Sequence, residues 1–116
     1  GVQFVAFDAY QLYGSKNGTV LKWSDWSPAF AHFGAFCAAK GVAWGLGETG
    51  LSDRAAQDLP AQASVWFTEW QTLLRKHGAS FLAYFDTNLN SSAVWAITPG
   101  TSKAWQFDAA LRASKV

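Results

Sequence analysis

At 116 residues, half of them hydrophobic and 15% charged, the chain has the length of one domain and is too apolar to be disordered. Its net charge of +1, without a basic cluster, argues against nucleic acid as a partner, and no apolar run reaches the ~18 residues of a membrane span. One cysteine, Cys37, excludes an internal disulfide and a cysteine-based zinc cluster.

The chain opens without methionine or a signal segment, which reads as a processed chain or a fragment. Val2-Gln3-Phe4-Val5-Ala6-Phe7 predicts a strand, followed at once by Asp8-Ala9-Tyr10. A polar loop containing glycine runs from Gly14 to Asp25. Ser27-Pro28 marks a helix start, a capping hydroxyl and then proline at the first helical position. Phe30, Phe33, Phe36 and Cys37 recur at helical spacing as its expected buried face. Lys40-Gly41 ends it with a basic last turn and a glycine.

Val42 to Gly47 is the second predicted strand, an apolar run of the kind found where both faces of a parallel sheet are covered. Glu48 to Asp58 reads as loop. A second helix begins near Leu59-Pro60 and presents Ala63, Trp66, Phe67, Trp70, Leu73 and Leu74 on one face. It closes at His77-Gly78. Phe81 to Phe85 is the third strand and ends in Asp86. The loop from Thr87 to Gly100 carries Asn88, Asn90 and Trp95. The third helix spans Thr101 to Ala113. Ala104, Phe107 and Leu111 share one face, and Trp105 with Ala109 forms a competing stripe. Asp108 and Arg112, four apart, face solvent as a pair.

Three repeats of strand and helix predict an α/β fold with a parallel sheet and right-handed crossovers. Each strand ends in an acid, and parallel strands bring Asp8, Glu48 and Asp86 to one edge. Such edges are where α/β folds collect their sites. Glu48, one of only two glutamates, stands between glycines and reads as a catalytic carboxylate. The alternatives are a helix or loop cap, or a partner for Arg54. Tyr10 is placed to donate a hydrogen bond to Glu48 from the neighbouring strand, or else to pack. Asp8 and Asp86 either bind ligand or tie down their own loops. Trp23, Trp26 and Trp95, in loops on the active edge, are candidates for stacking on a ring-shaped ligand. Trp44, Trp66, Trp70 and Trp105 are expected in the core. His32 and His77 have no spacing partner for a metal, and neither a metal nor a cofactor is expected. Gly45 to Gly50 also matches a dinucleotide fingerprint. That motif needs a helix opening at once, and Ser52 to Pro60 reads as loop.

Taken together, strand-Asp-x-Tyr, a strand ending Gly45-Leu46-Gly47-Glu48-Thr49-Gly50, and a strand ending Tyr84-Phe85-Asp86 resemble the last three βα units of a retaining glycoside hydrolase barrel. The pattern is similar to family 26 of the glycoside hydrolases, which includes β-mannanases and related endo-glucanases. The resemblance covers nearly the whole chain. It implies that residues 1–116, a single domain or fragment, are three of the eight units of a (β/α)8 barrel, a partial barrel. It implies an extracellular enzyme acting on a β-linked polysaccharide or glycoside. Glu48 matches the family's nucleophile and Tyr10 the tyrosine that orients it. Asp8 and Asp86 would bind sugar hydroxyls, and Trp23, Trp26 and Trp95 would stack on sugar faces. The family's acid/base glutamate follows a fourth strand, which this chain does not contain. The expected partners are a carbohydrate substrate and the N-terminal remainder of the barrel or another copy of the chain. The other readings are a non-catalytic carbohydrate-binding or structural remnant of such a barrel, and an open α/β nucleotide-binding domain.

Overall fold

The computed structural model describes residues 3–87 and 93–113; Val2, Asn88 and Asn90 of the sequence reading lie outside them. The elements run β1 (Phe4–Asp8), α1 (Ser15–Gly18), α2 (Ser27–Lys40), β2 (Ala43–Thr49), α3 (Asp53–Asp58), α4 (Pro60–Lys76), β3 (Phe81–Tyr84) and α5 (Ser102–Ala113). The three strands form one parallel sheet in the order β1-β2-β3. The α/β alternation and the parallel sheet are as the sequence predicts.

Sequential strand order has a direct consequence. Right-handed crossovers between neighbours that never reverse direction put every helix on the same face of the sheet. Val5, Phe7, Trp44, Leu46, Leu82 and Tyr84 point to that face and join the core. Phe4, Ala6, Ala43, Phe81 and Ala83 line the opposite face and are exposed, Phe4 to 62%. The rings of Phe4 and Phe81 meet edge to face there, 5.7 Å apart.

Aromatic side chains hold the helical layer. Phe7 stacks on Phe33 at 3.9 Å, and Trp44 lies against Phe30 and Phe33. The Trp44 indole also donates to the His77 carbonyl at 3.1 Å, fastening β2 to the end of α4. Phe30 meets Trp70 edge to face, and Phe67 and Tyr84 both pack on Phe107 of α5. Such pairs add about 0.5–1.5 kcal/mol each beyond the area they bury.

Several expectations are corrected. Ser27 is not the cap of α2. Trp26 holds that position, and the Asp25 carboxylate accepts the Ser27 N–H at 3.0 Å in its place. Phe36 is 48% exposed, because a residue six on from Phe30 has turned away from the face shared by Phe30, Gly34 and Cys37. The stretch from Glu48 to Asp58 is not all loop. Strand β2 continues through Thr49, and Ser52 caps the short helix α3 by accepting Ala55 N–H at 3.0 Å. On α5 the inward residues are Lys103, Phe107 and Ala110, while Leu111 is 42% exposed. Trp105, expected in the core, is 76% exposed. The polar loop after β1 contains a single turn, α1, in which Lys16 and Asn17 adopt left-handed φ of 50° and 55°.

Gly34 sits where α2 crosses the end of α4. A Cβ there would contact the His77 carbonyl oxygen and lie 3.0 Å from His77 Cβ. Helix propensity favours alanine over glycine by about 0.8–1 kcal/mol. The collision is with backbone, which cannot swing aside, so Gly34→Ala is expected to destabilise by about 1–3 kcal/mol net. Equilibrium denaturation of the variant checks this, and a gain in stability would contradict the packing described.

Candidate active site

β2 does not keep strict alternation to its end. Phe7 is in register with Leu46, but Asp8 is in register with Glu48, so Gly47 is an extra residue. A bulge of this kind re-aims the side chains that follow it. Register partners in a parallel pair lie on the same face, so Glu48 joins Asp8 on the face away from the helices. Without the extra residue it would share the inward face with Trp44 and Leu46. Thr49 then returns to the core, fully buried and in register with Tyr84.

The chain after β1 continues beside the chain after β2. Ala9 N–H donates to the Glu48 carbonyl and Gln11 N–H to the Gly50 carbonyl, each at 3.0 Å. This rung places Tyr10 beside Glu48, and the phenol donates to Glu48 Oε2 at 2.8 Å. The Tyr10 ring lies 4.9 Å from Trp95 and 6.1 Å from Phe85. Gly50 sits where the Tyr10 and Trp95 rings meet. A Cβ there would be 3.0 Å from Tyr10 Cδ2 and 3.2 Å from Trp95 Cε3. The Tyr10 carbonyl accepts the Trp26 indole N–H at 2.8 Å. Burial, then the hydrogen bond to Glu48 and the charges of Glu48 and Asp8, push the Tyr10 phenol well above its usual range.

The remaining predicted residues divide. Asp8, Glu48 and Asp86 do share the C-terminal edge of the sheet. Asp8 is exposed and, among the described residues, its carboxylate makes no hydrogen bond or ion pair. Asp86 Oδ1 accepts Ile97 N–H at 2.6 Å, so one of its oxygens holds the following loop. Arg54 pairs with Asp58, four residues on, rather than with Glu48. Trp95 is only 5% exposed and lies against Tyr10, and Trp26 packs on Phe30 and Trp70. Both rings therefore support Tyr10 more than they present open faces. Trp23 is partly buried against the core.

Sequence reasoning missed the side chains behind the site. Gln11 is fully buried and bridges to Ser24, donating to its carbonyl at 3.0 Å and accepting its N–H at 2.6 Å. The Tyr84 hydroxyl donates to the Trp95 carbonyl at 2.7 Å and accepts Leu51 N–H at 3.2 Å. Lys103, 4% exposed, pairs with Asp53 at 2.6 Å. Burial pulls its pKa down, and Asp53 draws it back up. The signal for Lys103 was its spacing: it lies four and seven residues before Phe107 and Ala110, on the stripe that faces inward.

The helix that a dinucleotide fingerprint requires does open, at Asp53, contrary to the sequence reading. Its N-terminus is already occupied. Ser52 caps it, Asp53 N–H donates to the Val94 carbonyl at 2.9 Å, and the Asp53 carboxylate stands in the first turn. Among the described residues no group of three or more His, Cys, Asp or Glu could hold a metal ion. No helix among them is long and apolar enough to cross a membrane. Comparison with protein families, with curated proteins and with solved structures finds no match to this chain.

The Tyr10 environment is open to direct measurement. In an alkaline titration followed by tyrosinate absorbance, the component lost in Tyr10→Phe is expected to ionise above the usual phenol value of about 10. Glu48→Gln removes one of the causes and should lower that midpoint, leaving the part due to burial. The sign for stability follows. A raised folded pKa contributes stability that is intact below the unfolded value and is lost as pH rises through the folded one. A Tyr10 midpoint that does not respond to Glu48→Gln would show that the two side chains do not interact in solution.

Proposed function

We propose that this chain carries the nucleophile of a retaining glycoside hydrolase acting on a β-linked polysaccharide or glycoside outside the cell. Its βα units would form part of a (β/α)8 barrel of the family 26 kind. The observation that carries the reading is the Tyr10–Glu48 pair: a strand-end carboxylate re-aimed by a bulge and held by a phenol at 2.8 Å. The one-sided sheet supports the barrel. A sheet whose neighbours follow in sequence, with all helices outside, is the geometry that closes when more units are added. The exposed Phe4, Ala6, Ala43, Phe81 and Ala83 then become interior residues of the barrel.

The chemistry asked of each group is definite. Glu48, ionised, attacks the anomeric carbon as the glycosidic bond breaks, and an ester links sugar to enzyme. A second carboxyl group, about 5–5.5 Å away in retaining enzymes, protonates the departing oxygen. It then takes a proton from the water that hydrolyses the ester. The resemblance puts that acid/base on strand four of the barrel. Tyr10 fixes the orientation of Glu48 and stabilises its charge with one hydrogen bond. Asp8 lies beside Glu48 in register, where it can accept sugar hydroxyls. Trp23 retains a partly exposed ring for a sugar face. Asp86 and Trp95 would act mainly by shaping the wall of the site.

The test is Glu48→Gln in the full-length protein with a chromogenic β-glycoside. Turnover should fall by at least about a thousandfold while substrate binding persists, because the amide keeps the shape and loses the nucleophile. Tyr10→Phe should slow turnover more mildly. A fluoro-glycoside inactivator should leave its sugar on the peptide containing Glu48. Binding of β-glycans without any hydrolysis would point instead to a non-catalytic carbohydrate-binding protein.

A further inference from the structure

Among the described residues Lys103 is the charged side chain that is buried. Its Nζ lies 2.6 Å from Asp53 Oδ1 and donates to the carbonyls of Trp95 at 3.0 Å and of Leu51 and Val94 at 3.2 Å. An ammonium offers three N–H donors and accepts nothing. Four oxygens around it therefore suit a protonated lysine with one donor shared. A buried ion pair returns little net stability after desolvation, and its best-attested use is to select one arrangement of the groups around it.

That arrangement reaches the site in two steps. The Leu51 and Trp95 carbonyls also meet the Tyr84 hydroxyl, at 3.2 and 2.7 Å. Lys103 and Tyr84 together thus pin the loop after β2 to the loop after β3. Gly50, next to Leu51, sits where the Tyr10 and Trp95 rings meet, and the Trp95 ring packs on Tyr10 at 4.9 Å. Both of these packing partners of the Tyr10 ring thus lie where the two loops are tied.

We propose that Lys103 is a positioning residue: by clamping the Leu51 and Trp95 carbonyls it fixes where Gly50 and the Trp95 ring pack against Tyr10, and so holds the Tyr10 phenol on Glu48. Its kinetic consequence rests on the reading of Glu48 as nucleophile; its structural consequence does not.

The experiment is a double-mutant cycle in the full-length protein with Lys103→Met and Tyr10→Phe. Acting through Tyr10, Lys103→Met should lower kcat about tenfold with KM changed by less than about twofold, and should add almost nothing in the Tyr10→Phe background. Effects that multiply in the double variant overturn the proposal. A second arm needs no turnover. In protein labelled with carbon-13 tyrosine, the Tyr10 ring signals are assigned by their loss in Tyr10→Phe. Lys103→Met should move them while the far-UV circular dichroism stays that of the parent. Tyr10 signals unmoved in a folded Lys103→Met protein also overturn the proposal. If Lys103→Met does not fold, Asp53→Asn removes the counter-ion and is read in the same two ways. Normal turnover in Glu48→Gln, with the Tyr10 signals displaced by Lys103→Met, would reject Glu48 as the nucleophile and leave the clamp standing.

Discussion

One extra residue, Gly47, decides where Glu48 points, and the site depends on that. Trp44 and Leu46 lie in the core on the helical side of β2, as alternation requires. The next residue of that parity would be Glu48, and a carboxylate there would be buried among aromatic rings at a cost of several kcal/mol. The bulge resolves the conflict. It keeps Glu48 on the outer face beside Asp8 and turns Thr49 inward against Tyr84. Two consequences follow from one insertion: a carboxylate within reach of the Tyr10 phenol, and a core that continues unbroken past the strand end.

The rest of the structure supplies rigidity around that point. The sheet is held to its helices by an aromatic layer running from Phe7 and Phe33 through Trp44 and Phe30 to Trp70. Beyond the strand ends the backbone leaves the sheet, and buried polar groups take over. Gln11 fixes the turn toward Ser24, Ser52 links Tyr13 to the start of α3, and Tyr84 with Lys103 joins the loops after β2 and β3. Each of these side chains satisfies backbone carbonyls or N–H groups that would otherwise be buried without partners, which is the cost such loops must avoid. Tyr10 stands at the centre of that framework, its carbonyl held by Trp26 and its ring by Trp95 and Phe85.

The one-sided sheet is the other feature of general interest. Its inner layer is closed over by helices, and its outer layer presents Phe4 and Phe81 without a covering element among the described residues. Parallel strands with unpaired outer edges and a bare apolar face are rarely left so, because both invite association. The barrel we propose would satisfy both demands together, since closure pairs the edges and fills the face. In the proposed barrel, closure would also bring further strand ends to the edge that carries Asp8, Glu48 and Asp86.

The sequence by itself determined the three strands, the three longer helices and the direction of the strands. Apolar runs of strand length, helical stretches bounded by Pro28, Gly41, Pro60 and Gly78, and strict alternation leave a parallel sheet as the outcome, because those signals are local. It also determined that Asp8, Glu48 and Asp86 share an edge, since parallel strands admit no other result. Tertiary structure alone decided which side chains the edge uses. Phe36 and Trp105 are as apolar as Phe30 and Trp70, yet they are exposed, because burial depends on which helix face meets the sheet. Trp26 and Trp95 lie against Tyr10, one through its carbonyl and one through its ring, because packing makes them supports rather than open faces. Helix α3 was hidden by its six-residue length, too short for a periodic pattern to register. Lys103 lies on the inward stripe with Phe107 and Ala110, but that spacing alone supplies no partner for a charge. Only the approach of two loops, distant in sequence, brought three carbonyls and Asp53 around its ammonium and made a buried cation the natural residue there.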